Sequence, residues 1–451
     1  MRIKLDSPIK LSQIQNICGG LLKGDDRIIK YITTDSREVE KCDLFIALKG
    51  EKYDGNDYSR EVVKKGGIVL SDDAEFATLV VNSTREALLK TASMYKAIKT
   101  KLTCTIAITG SVGKTTTKEF TSFITSSNYN VHATKENENN DIGLARTLLS
   151  MPNDTELLIC EMGMNHSGEI ESLSRCANPD IAVITNIGCA HYGNLGSRNL
   201  IADAKLEIRN GMKSGILLIP AEEKLFANIK DAKRVSTKQT NSDYALISRK
   251  SDAGGSHFDF FVNGKKHLSA KISIPGNHIL SCIAYALSIC AILGISTEDC
   301  KNQVEKIGYN ILRQKVTTVG RYQIFDDTYS SSPEAVIATM RALALNSSTS
   351  HSAVLGDMLE LGKLTVPMHE MIGREAYLLG FKKIYAFGVY ASYIEKGALE
   401  AGMNRKNIKT NMDITRPDIT ADQIKENYNG ELILFKASHS LKVQRIFDYL
   451  K

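Results

Sequence analysis

Short apolar runs alternate with amphipathic segments along the whole chain, and this pattern predicts β-strands joined by α-helices. In the first hundred residues the runs LFIAL (44–48) and GIVL (67–70) predict strands of a small α/β domain. A basic helix-like segment, MYKAIKTKL (94–102), then precedes a second series. That series contains TCTIAIT (103–109), LLICEMG (157–163), IAVITNIG (181–188) and GILLIP (215–220), with the helical pattern TTKEFTSFIT (116–125) among them. Strands that alternate with helices are typical of a mostly parallel, doubly wound sheet.

The second half of the chain continues the pattern after a polar stretch around residues 238–256. The segment NHILSCIAYALSICAILG (277–294) approaches the length of a membrane span, but Asn277, His278 and its serines favour a buried core helix. A third α/β series follows, in which the predicted strands are YQIFDD (322–327), SAVLGD (352–357), KIYAFG (383–388) and ELILFKAS (431–438). We therefore expect three domains, over residues 1–102, 103–312 and 313–451.

Length and composition agree with several packed domains. A chain of 451 residues with 43% hydrophobic and 24% charged residues is too long for one ordinary core and too apolar for a disordered protein. The net charge of +6, without a long basic run, indicates neither a nucleic-acid partner nor membrane insertion. The nine cysteines are widely spaced, which argues against a metal cage or a disulfide scaffold. The amino terminus lacks a signal peptide, so we expect a cytoplasmic protein.

A glycine-rich turn in TIAITGSVGKTTTKEF lies between a predicted strand and a predicted helix. Glycines allow backbone amides to approach phosphate oxygens, a helix N-terminus favours negative charge, and a lysine can reach the terminal phosphates. Only two residues separate the glycines, against four in the general phosphate-loop pattern, and a plain strand-to-helix turn with an exposed lysine is the alternative. The residues predicted to bind ATP here are Gly110, Ser111, Val112, Gly113, Lys114, Thr115 and Thr116.

This short loop, TGSVGKTTT, resembles that of the Mur ligase family, and other segments resemble family motifs in the same order. They are TTDSREVEKCDLFIALKGEKYDG (33–55), TKENENNDIG (134–143), EMGMNHSGEI (161–170), TNIGCAHYGNLGS (185–197), DAKLEI (203–208) and VLGDMLELG (354–362), the last followed by His369. The resemblance implies a small N-terminal α/β domain for a UDP-linked substrate, a central doubly wound P-loop ATPase domain and a C-terminal Rossmann-like α/β domain. It also implies an ATP-dependent ligase that forms an amide bond.

Family likeness implies a role for each matching residue. Lys114, Glu161, His191 and Lys205 would be catalytic, and Thr115, Glu161, His191 and a carbamylated Lys205 would bind Mg²⁺. Arg313 and Asp327 would contact ATP. The implied substrates are a UDP-N-acetylmuramoyl peptide and D-alanyl-D-alanine or a similar amine, with substrate contacts from Ser36, Arg37, Asn137, Asn139, Asn140, Tyr329, Ser330 and Lys436. We expect a monomer.

The residues alone leave other interpretations open. Glu161 could be an exposed carboxylate at a strand end, His191 a core histidine, Lys205 a surface lysine and Arg313 a solvated linker residue. The asparagine cluster could be an ordinary loop rich in turn formers.

Three segments depart from the family patterns. GNHILSC has Ile279 and Cys282 where asparagines are expected, DTYSSSP has Ser330 and Ser332 in place of asparagines, and KASHS has His439 where an arginine would bind a carboxylate. The phosphate and magnesium residues are retained. A family ligase with another acceptor or amine therefore remains an alternative, as does a non-catalytic nucleotide-binding protein.

Overall fold

Three β-sheets, each covered by helices, organise the computed structural model, which describes residues 2–50, 52–308, 311, 315–345 and 349–451. The sheets take their strands from consecutive parts of the chain, so the α/β architecture with three domains predicted from the sequence is confirmed. The expected boundary near residue 312 lies outside the described residues, and the limits at 102 and 312 stay predictions.

The N-terminal domain has a six-stranded sheet in the order β1-β3-β4-β5-β6-β2. Strands β3 to β6 are parallel, whereas β1 and β2 pair antiparallel at the two edges. The bounds are β1 Ile3–Lys10, β2 Leu21–Leu22, β3 Ile28–Thr33, β4 Leu44–Ile46, β5 Ile68–Ser71, β6 Leu79–Val80, α1 Leu11–Cys18, α2 Ser59–Lys64 and α3 Thr84–Ala97.

The central domain has a nine-stranded sheet in the order β15-β14-β13-β12-β11-β10-β7-β9-β8. It is parallel from β8 to β13 and ends in two antiparallel strands. The strands are β7 Cys104–Thr109, β8 Val131–Ala133, β9 Leu157–Glu161, β10 Ile181–Ile184, β11 Ile216–Pro220, β12 Lys233–Ser236, β13 Tyr244–Asp252, β14 Gly255–Val262 and β15 Lys265–Ile272.

Helices pack on both faces of this sheet, and the strands between them are buried on both sides, as expected for a parallel sheet. The apolar helix predicted over 277–294 is α9, and it is buried as expected. The helices are α4 Lys114–Thr125, α5 Asp141–Leu149, α6 Glu169–Ala177, α7 Tyr192–Leu195, α8 Arg198–Leu206, α9 Asn277–Ile292 and α10 Thr297–Val304.

The C-terminal domain has a six-stranded sheet in the order β16-β17-β21-β18-β19-β20, parallel except at β16. All of the strands predicted here are present. The bounds are β16 Lys315–Val319, β17 Tyr322–Asp326, β18 His351–Gly356, β19 Lys383–Phe387, β20 Ile408–Asn411, β21 Leu432–Lys436, α11 Pro333–Ala344, α12 Thr365–Leu378, α13 Ala391–Glu400, α14 Pro417–Asn427 and α15 Arg445–Leu450.

Two segments have a structure that their sequence pattern did not predict in full. The polar stretch around 238–256 contains β13 and the start of β14, which pair antiparallel and can expose polar side chains on one face. The helix-like segment 94–102 is only the end of α3, which stops at Ala97. No helix among the described residues is long and apolar enough to cross a membrane.

Candidate active site

The loop after β7 lies where the order of the central sheet reverses. From β7 the chain passes to β8 and β9 on one side and then to β10 on the other, so the loops after β7 and β10 diverge around a crevice. Open α/β sheets bind ligands at such a position, beyond the carboxyl ends of the strands. The predicted phosphate loop therefore occupies the expected place, between β7 and the N-terminus of α4.

The loop after β10 holds the phosphate loop in shape. Thr185 Oγ1 donates to Val112 O at 2.6 Å, and the Asn186 side chain accepts from Val112 N at 3.0 Å and donates to Val112 O at 2.9 Å. A Cβ on Gly110, whose φ is +150°, would lie 1.9 Å from Thr185 Oγ1. Gly113, with φ +82°, precedes the first residue of α4. Both glycines are thus required by backbone geometry.

A cleft of about 610 Å³ opens above this loop and is shared by the central and C-terminal domains. Thirteen of the residues that the sequence predicted as site residues line it. They are Ser111, Val112, Gly113, Lys114, Thr115, Thr116, Asn139, Glu161, His191, Asp327, Tyr329, Ser330 and Lys436.

Glu161 ends strand β9 at the base of the cleft and is only 2% exposed. Asn139 Nδ2 donates to its Oε1 at 2.8 Å, while its Oε2 has no hydrogen-bond partner among the described atoms. The interpretation of Glu161 as an exposed carboxylate is therefore wrong. Burying a carboxylate oxygen without a hydrogen-bond donor costs free energy, and a bound cation would offset that cost.

His191 also lines the cleft and has a backbone φ of +63°. Its Nδ1 is 2.6 Å from Oε2 of Glu360, which belongs to the C-terminal domain. Burial lowers the pKa of His191; Glu360 opposes that shift, and the charges of Lys114 and Lys205 add to it. Because His191 lines the cleft, it is not a core histidine.

Lys205, on helix α8, is 2% exposed, and its side-chain nitrogen has no hydrogen-bond or ion-pair partner among the described residues. Burial lowers its pKa well below the ordinary value, and the charge of Lys114 lowers it further. The interpretation of Lys205 as a surface lysine is therefore wrong. Lys205 sits behind the cleft wall, close enough to His191 to affect its pKa.

The C-terminal domain supplies the other side of the cleft. Lys436 is 2% exposed, and its ammonium lies 3.0 Å from Asp327 Oδ2 and also donates to the carbonyl of Ser330. Thr339 Oγ1 donates to the same Asp327 oxygen at 2.7 Å. Tyr329 lies on the surface of the cleft with its ring 5.8 Å from that of His439. Lys436 thus fixes the loop that presents Tyr329 and Ser330.

The segment GNHILSC begins α9 beside the phosphate loop. His278 lines the cleft, and desolvation lowers its pKa to about 4, although the charge of Asp327 opposes this. Cys282 packs beneath the loop, with its thiol 3.7 Å from Gly113 O, and burial raises its pKa to about 11. Ile279 is in the core and does not face the cleft. Of the two residues in this segment that differ from the family pattern, only Cys282 therefore lies beside the phosphate loop.

Several predicted site residues lie outside the cleft. Ser36 and Arg37 are in the N-terminal domain, where Arg37 pairs with Asp35 at 2.7 Å. The Asn140 side chain caps α5 by accepting from Gly143 N at 2.9 Å, and Asn137 accepts a backbone bond from Asn139. Arg313 lies outside the described residues.

Sequence analysis did not identify four residues that shape the cleft. Thr185 and Asn186 are in the segment TNIG, and Glu360 is in VLGDMLELG, so the motifs were recognised but their contacts were not. Glu334 had no sequence signal beyond its place in the first turn of α11. It accepts from Cys189 N at 2.7 Å.

The oxygen donors in the cleft suit Mg²⁺, a hard cation. Thr115 and Glu161 offer hard oxygen atoms in one cleft, and the unpartnered Oε2 of Glu161 fits a cation. Among the described residues no group of three or more His, Cys, Asp or Glu side chains could hold a metal by itself. The set therefore fits a Mg²⁺ ion that also takes oxygen ligands from a bound nucleotide.

Comparison with known proteins agrees with this geometry. Residues 108–290 match the Mur ligase middle domain, and residues 28–96 match the catalytic domain of the Mur ligase family. Over 437 residues the chain is 35% identical to UDP-N-acetylmuramoyl-tripeptide–D-alanyl-D-alanine ligase of Bacillus subtilis, covering 94% of this chain and 93% of the relative. This chain belongs to the Mur ligase family. The corresponding ligase of Rickettsia prowazekii is 33% identical, over 92% of this chain and 94% of the relative.

Solved structures of Mur ligases have the same three-domain fold. A crystal structure of MurF from Acinetobacter baumannii superposes with a TM-score of 0.88 at 27% identity and covers 99% of both chains. MurF from Thermotoga maritima, solved in complex with ADP, gives a TM-score of 0.81 at 25% identity, over 93% of this chain and 96% of that one. The family membership inferred from the sequence motifs is confirmed.

Proposed function

We propose that this Mur ligase uses ATP to join D-alanyl-D-alanine to a UDP-N-acetylmuramoyl tripeptide, a step in the synthesis of peptidoglycan precursors. One observation carries the proposal. A phosphate loop, a buried carboxylate with an unpartnered oxygen and the Asp327–Lys436 pair of the C-terminal domain share one cleft. The curated relatives that carry this activity in their names match over almost the whole chain.

The reaction needs an activated carboxyl group, because a carboxylate is a poor electrophile. A carboxylate oxygen of the tripeptide attacks the γ-phosphorus of ATP, the bond to the β-phosphate oxygen breaks and ADP leaves. The amino nitrogen of D-alanyl-D-alanine then attacks the acyl carbon, the acyl–oxygen bond breaks, phosphate leaves and the nitrogen loses a proton. The products are an amide, ADP and phosphate.

The phosphate loop can bind the ATP phosphates through its backbone amides, with Lys114 at the terminal phosphates. In this structure the Lys114 ammonium donates to Gly110 O at 2.8 Å, a bond that it can exchange for a phosphate oxygen. Thr115, Glu161, His191 and a carbamylated Lys205 would hold Mg²⁺. Bound there, the ion neutralises the charge of the crowded phosphates.

Lys205 has the properties that carbamylation requires. Only a neutral amine can attack carbon dioxide, and burial without an anionic partner favours the neutral form by lowering the pKa of Lys205 well below its ordinary value. The new N–C bond forms with loss of a proton, and the product is a carboxylate-like anion beside Lys114 and His191. We propose this modification for Lys205.

The remaining substrate contacts are proposals that follow from family likeness. Asn139, Tyr329, Ser330 and Lys436 lie in the cleft, where the acyl group and the amine must meet. Asp327 and Arg313 are proposed ATP contacts. For the UDP-linked substrate we propose Ser36, Arg37, Asn137 and Asn140, which lie outside this cleft. We also propose a cytoplasmic monomer with domains 1–102, 103–312 and 313–451.

A coupling assay with several amines tests the proposal. We expect phosphate release from ATP and the UDP-linked tripeptide only when D-alanyl-D-alanine is added, and a product that is heavier by that dipeptide minus water. Lys114→Ala is expected to abolish both signals. If another amine is coupled and D-alanyl-D-alanine gives no response, that amine replaces D-alanyl-D-alanine in the proposal. If no amine stimulates phosphate release, ligase activity itself is contradicted.

A further inference from the structure

The loop that follows β18 is fixed firmly to the C-terminal domain. Asp357 accepts backbone N–H bonds from Val389 and Tyr390, both at 2.9 Å. His369 accepts from Met358 N at 3.0 Å through Nε2, and its Nδ1 lies 2.6 Å from Thr365 O. The segment VLGDMLELG and His369 thus form one rigid support. The next exposed residues on that support are Leu359 and Glu360.

Glu360 contacts the central domain with both its backbone and its side chain. Its carbonyl accepts from Gly193 N at 2.7 Å, and its Oε2 lies 2.6 Å from Nδ1 of His191. The backbones approach closely here, since a Cβ on Gly193 would lie 2.9 Å from both Glu360 O and Gly362 N. This contact requires a docked C-terminal domain.

An ionised carboxylate can only accept a hydrogen bond, so His191 must donate from Nδ1. The neutral ring then carries its lone pair on Nε2. His191 lines the cleft, and the other side chains that affect its ring electrostatically, Lys114 and Lys205, are lysines rather than carboxylates. Among the described residues, the imidazole therefore takes its anionic partner from the other domain.

A second carboxylate of the C-terminal domain holds the same loop. Glu334 Oε1 accepts from Cys189 N at 2.7 Å, two residues before His191. A Cβ on Gly188 would lie 2.8 Å from the Glu334 carboxyl carbon. Glu334 thus positions the backbone of the loop, whereas Glu360 positions the imidazole.

We propose that Glu360 is a positioning residue that fixes the Nδ1–H form of His191 and presents its Nε2 to the cleft when the C-terminal domain is docked. The inference rests on the proposed function in so far as His191 is a Mg²⁺ ligand. Hydrogen-bonded carboxylates that orient metal-bound histidines in this way change metal affinity by about 10–100-fold when removed. Docking of the domain would thereby be coupled to the affinity of the site for Mg²⁺.

Nuclear magnetic resonance of the full-length protein labelled with ¹⁵N-histidine tests this without substrates or metal. The His191→Gln spectrum identifies the His191 signals among the nine histidines. At pH 8 we expect the ring proton on Nδ1 in the unaltered protein and a shift of that proton towards Nε2 in Glu360→Ala. Glu400→Ala is the matched control, because Glu400 is a carboxylate of the same domain with similar exposure, 47% against 44%.

The Mg²⁺ dependence of the ligase supplies a second readout. Glu360→Ala is expected to raise the half-saturating Mg²⁺ concentration about 10-fold or more, with a smaller effect on kcat at saturating Mg²⁺. Glu360→Gln keeps an acceptor oxygen and should fall between Glu360→Ala and the unaltered protein. An unchanged His191 spectrum and an unchanged Mg²⁺ requirement in folded Glu360→Ala would overturn the positioning role. Absence of ligation in the unaltered protein would overturn the proposed function alone, because the spectra would still decide the tautomer.

Discussion

At the scale of single residues, Lys205 combines burial with the absence of an anionic partner among the described residues. Such an amine costs free energy in the folded state, which is typical of a residue with a chemical use. We expect Lys205→Met to lower ligase activity by about 100-fold or more, because the proposed carbamate cannot form. The thermal midpoint should stay equal or rise, since a buried polar group is replaced by an apolar one of similar length. Activity within a few-fold of the unaltered protein would contradict the carbamate.

His278 gives a prediction about pH. Its pKa of about 4 in the folded protein lies below the ordinary 6.5, so the unfolded chain binds a proton first as the pH falls. Stability is therefore lost as the pH falls from about 6.5 towards 4. Because the ring borders the open cleft, water reduces the effect. We expect the free energy of unfolding of His278→Gln, relative to that of the unaltered protein, to be about 1 kcal/mol more favourable to folding at pH 5 than at pH 7.5. Thermal unfolding at both pH values measures this, and an equal difference at both would contradict the shift.

At the residue scale, the sequence predicted functional residues where they lie within a recognisable motif. Glu161 and His191 were predicted from their segments, and both line the cleft. Lys205 looked like a surface lysine by residue type, and only its flanking residues suggested a role. Its burial depends on tertiary packing around α8, which local sequence does not encode. Glu334 was not recognised for the same reason.

At the scale of elements, the phosphate loop depends on the glycine that directly follows β7. A side chain on Gly110 would clash with Thr185 Oγ1 at 1.9 Å and would strain a φ of +150°. We expect Gly110→Ala to destabilise the central domain by roughly 1–3 kcal/mol and to raise the KM for ATP, because the Thr185–Val112 bond must shift.

Gly168→Ala is the control for backbone strain alone. Gly168 also has a positive φ, +86°, but a Cβ there would meet nothing within 4 Å. The free energy of unfolding of this variant should fall by about 1 kcal/mol or less, while its KM for ATP stays unchanged. Equal KM values in the two variants would show that the clash with Thr185 is unimportant for ATP binding.

The apolar strands and long helices could be predicted because their patterns are strong, as at β7 and α9. Strand β13 could not, since Ser248, Arg249, Lys250 and Ser251 interrupt its apolar face and the pairing shifts between Ser248 and Lys250. Strand formation there depends on the neighbouring strand rather than on the local pattern.

At the scale of the whole molecule, the C-terminal domain docks on α7 through a backbone contact between Gly193 and Gly362. Gly193→Ala would place a methyl group 2.9 Å from Glu360 O, so we expect the domain to swing away and the radius of gyration to increase in small-angle X-ray scattering. Gly196→Ala, at the end of the same helix and with nothing within 4 Å of its Cβ, should leave the scattering unchanged. Identical curves for the two variants would contradict docking through this contact.

Docking could not be predicted from sequence, because Glu360 and His191 are 169 residues apart and neither segment signals its partner. The family motifs lie in all three domains. Those of the central and C-terminal domains contact one another around the cleft. That cleft is the basis for the claim that ATP activates a carboxylate in this protein.

Isotope transfer tests that claim most directly. A UDP-linked tripeptide labelled with ¹⁸O in its terminal carboxylate is incubated with the protein, ATP, Mg²⁺ and D-alanyl-D-alanine, and the released phosphate is analysed by mass spectrometry. Attack of the carboxylate on the γ-phosphorus predicts one ¹⁸O atom in each phosphate released with the amide product. Phosphate without ¹⁸O would show that water cleaves the ATP, and this would contradict the acyl phosphate and the account of the cleft.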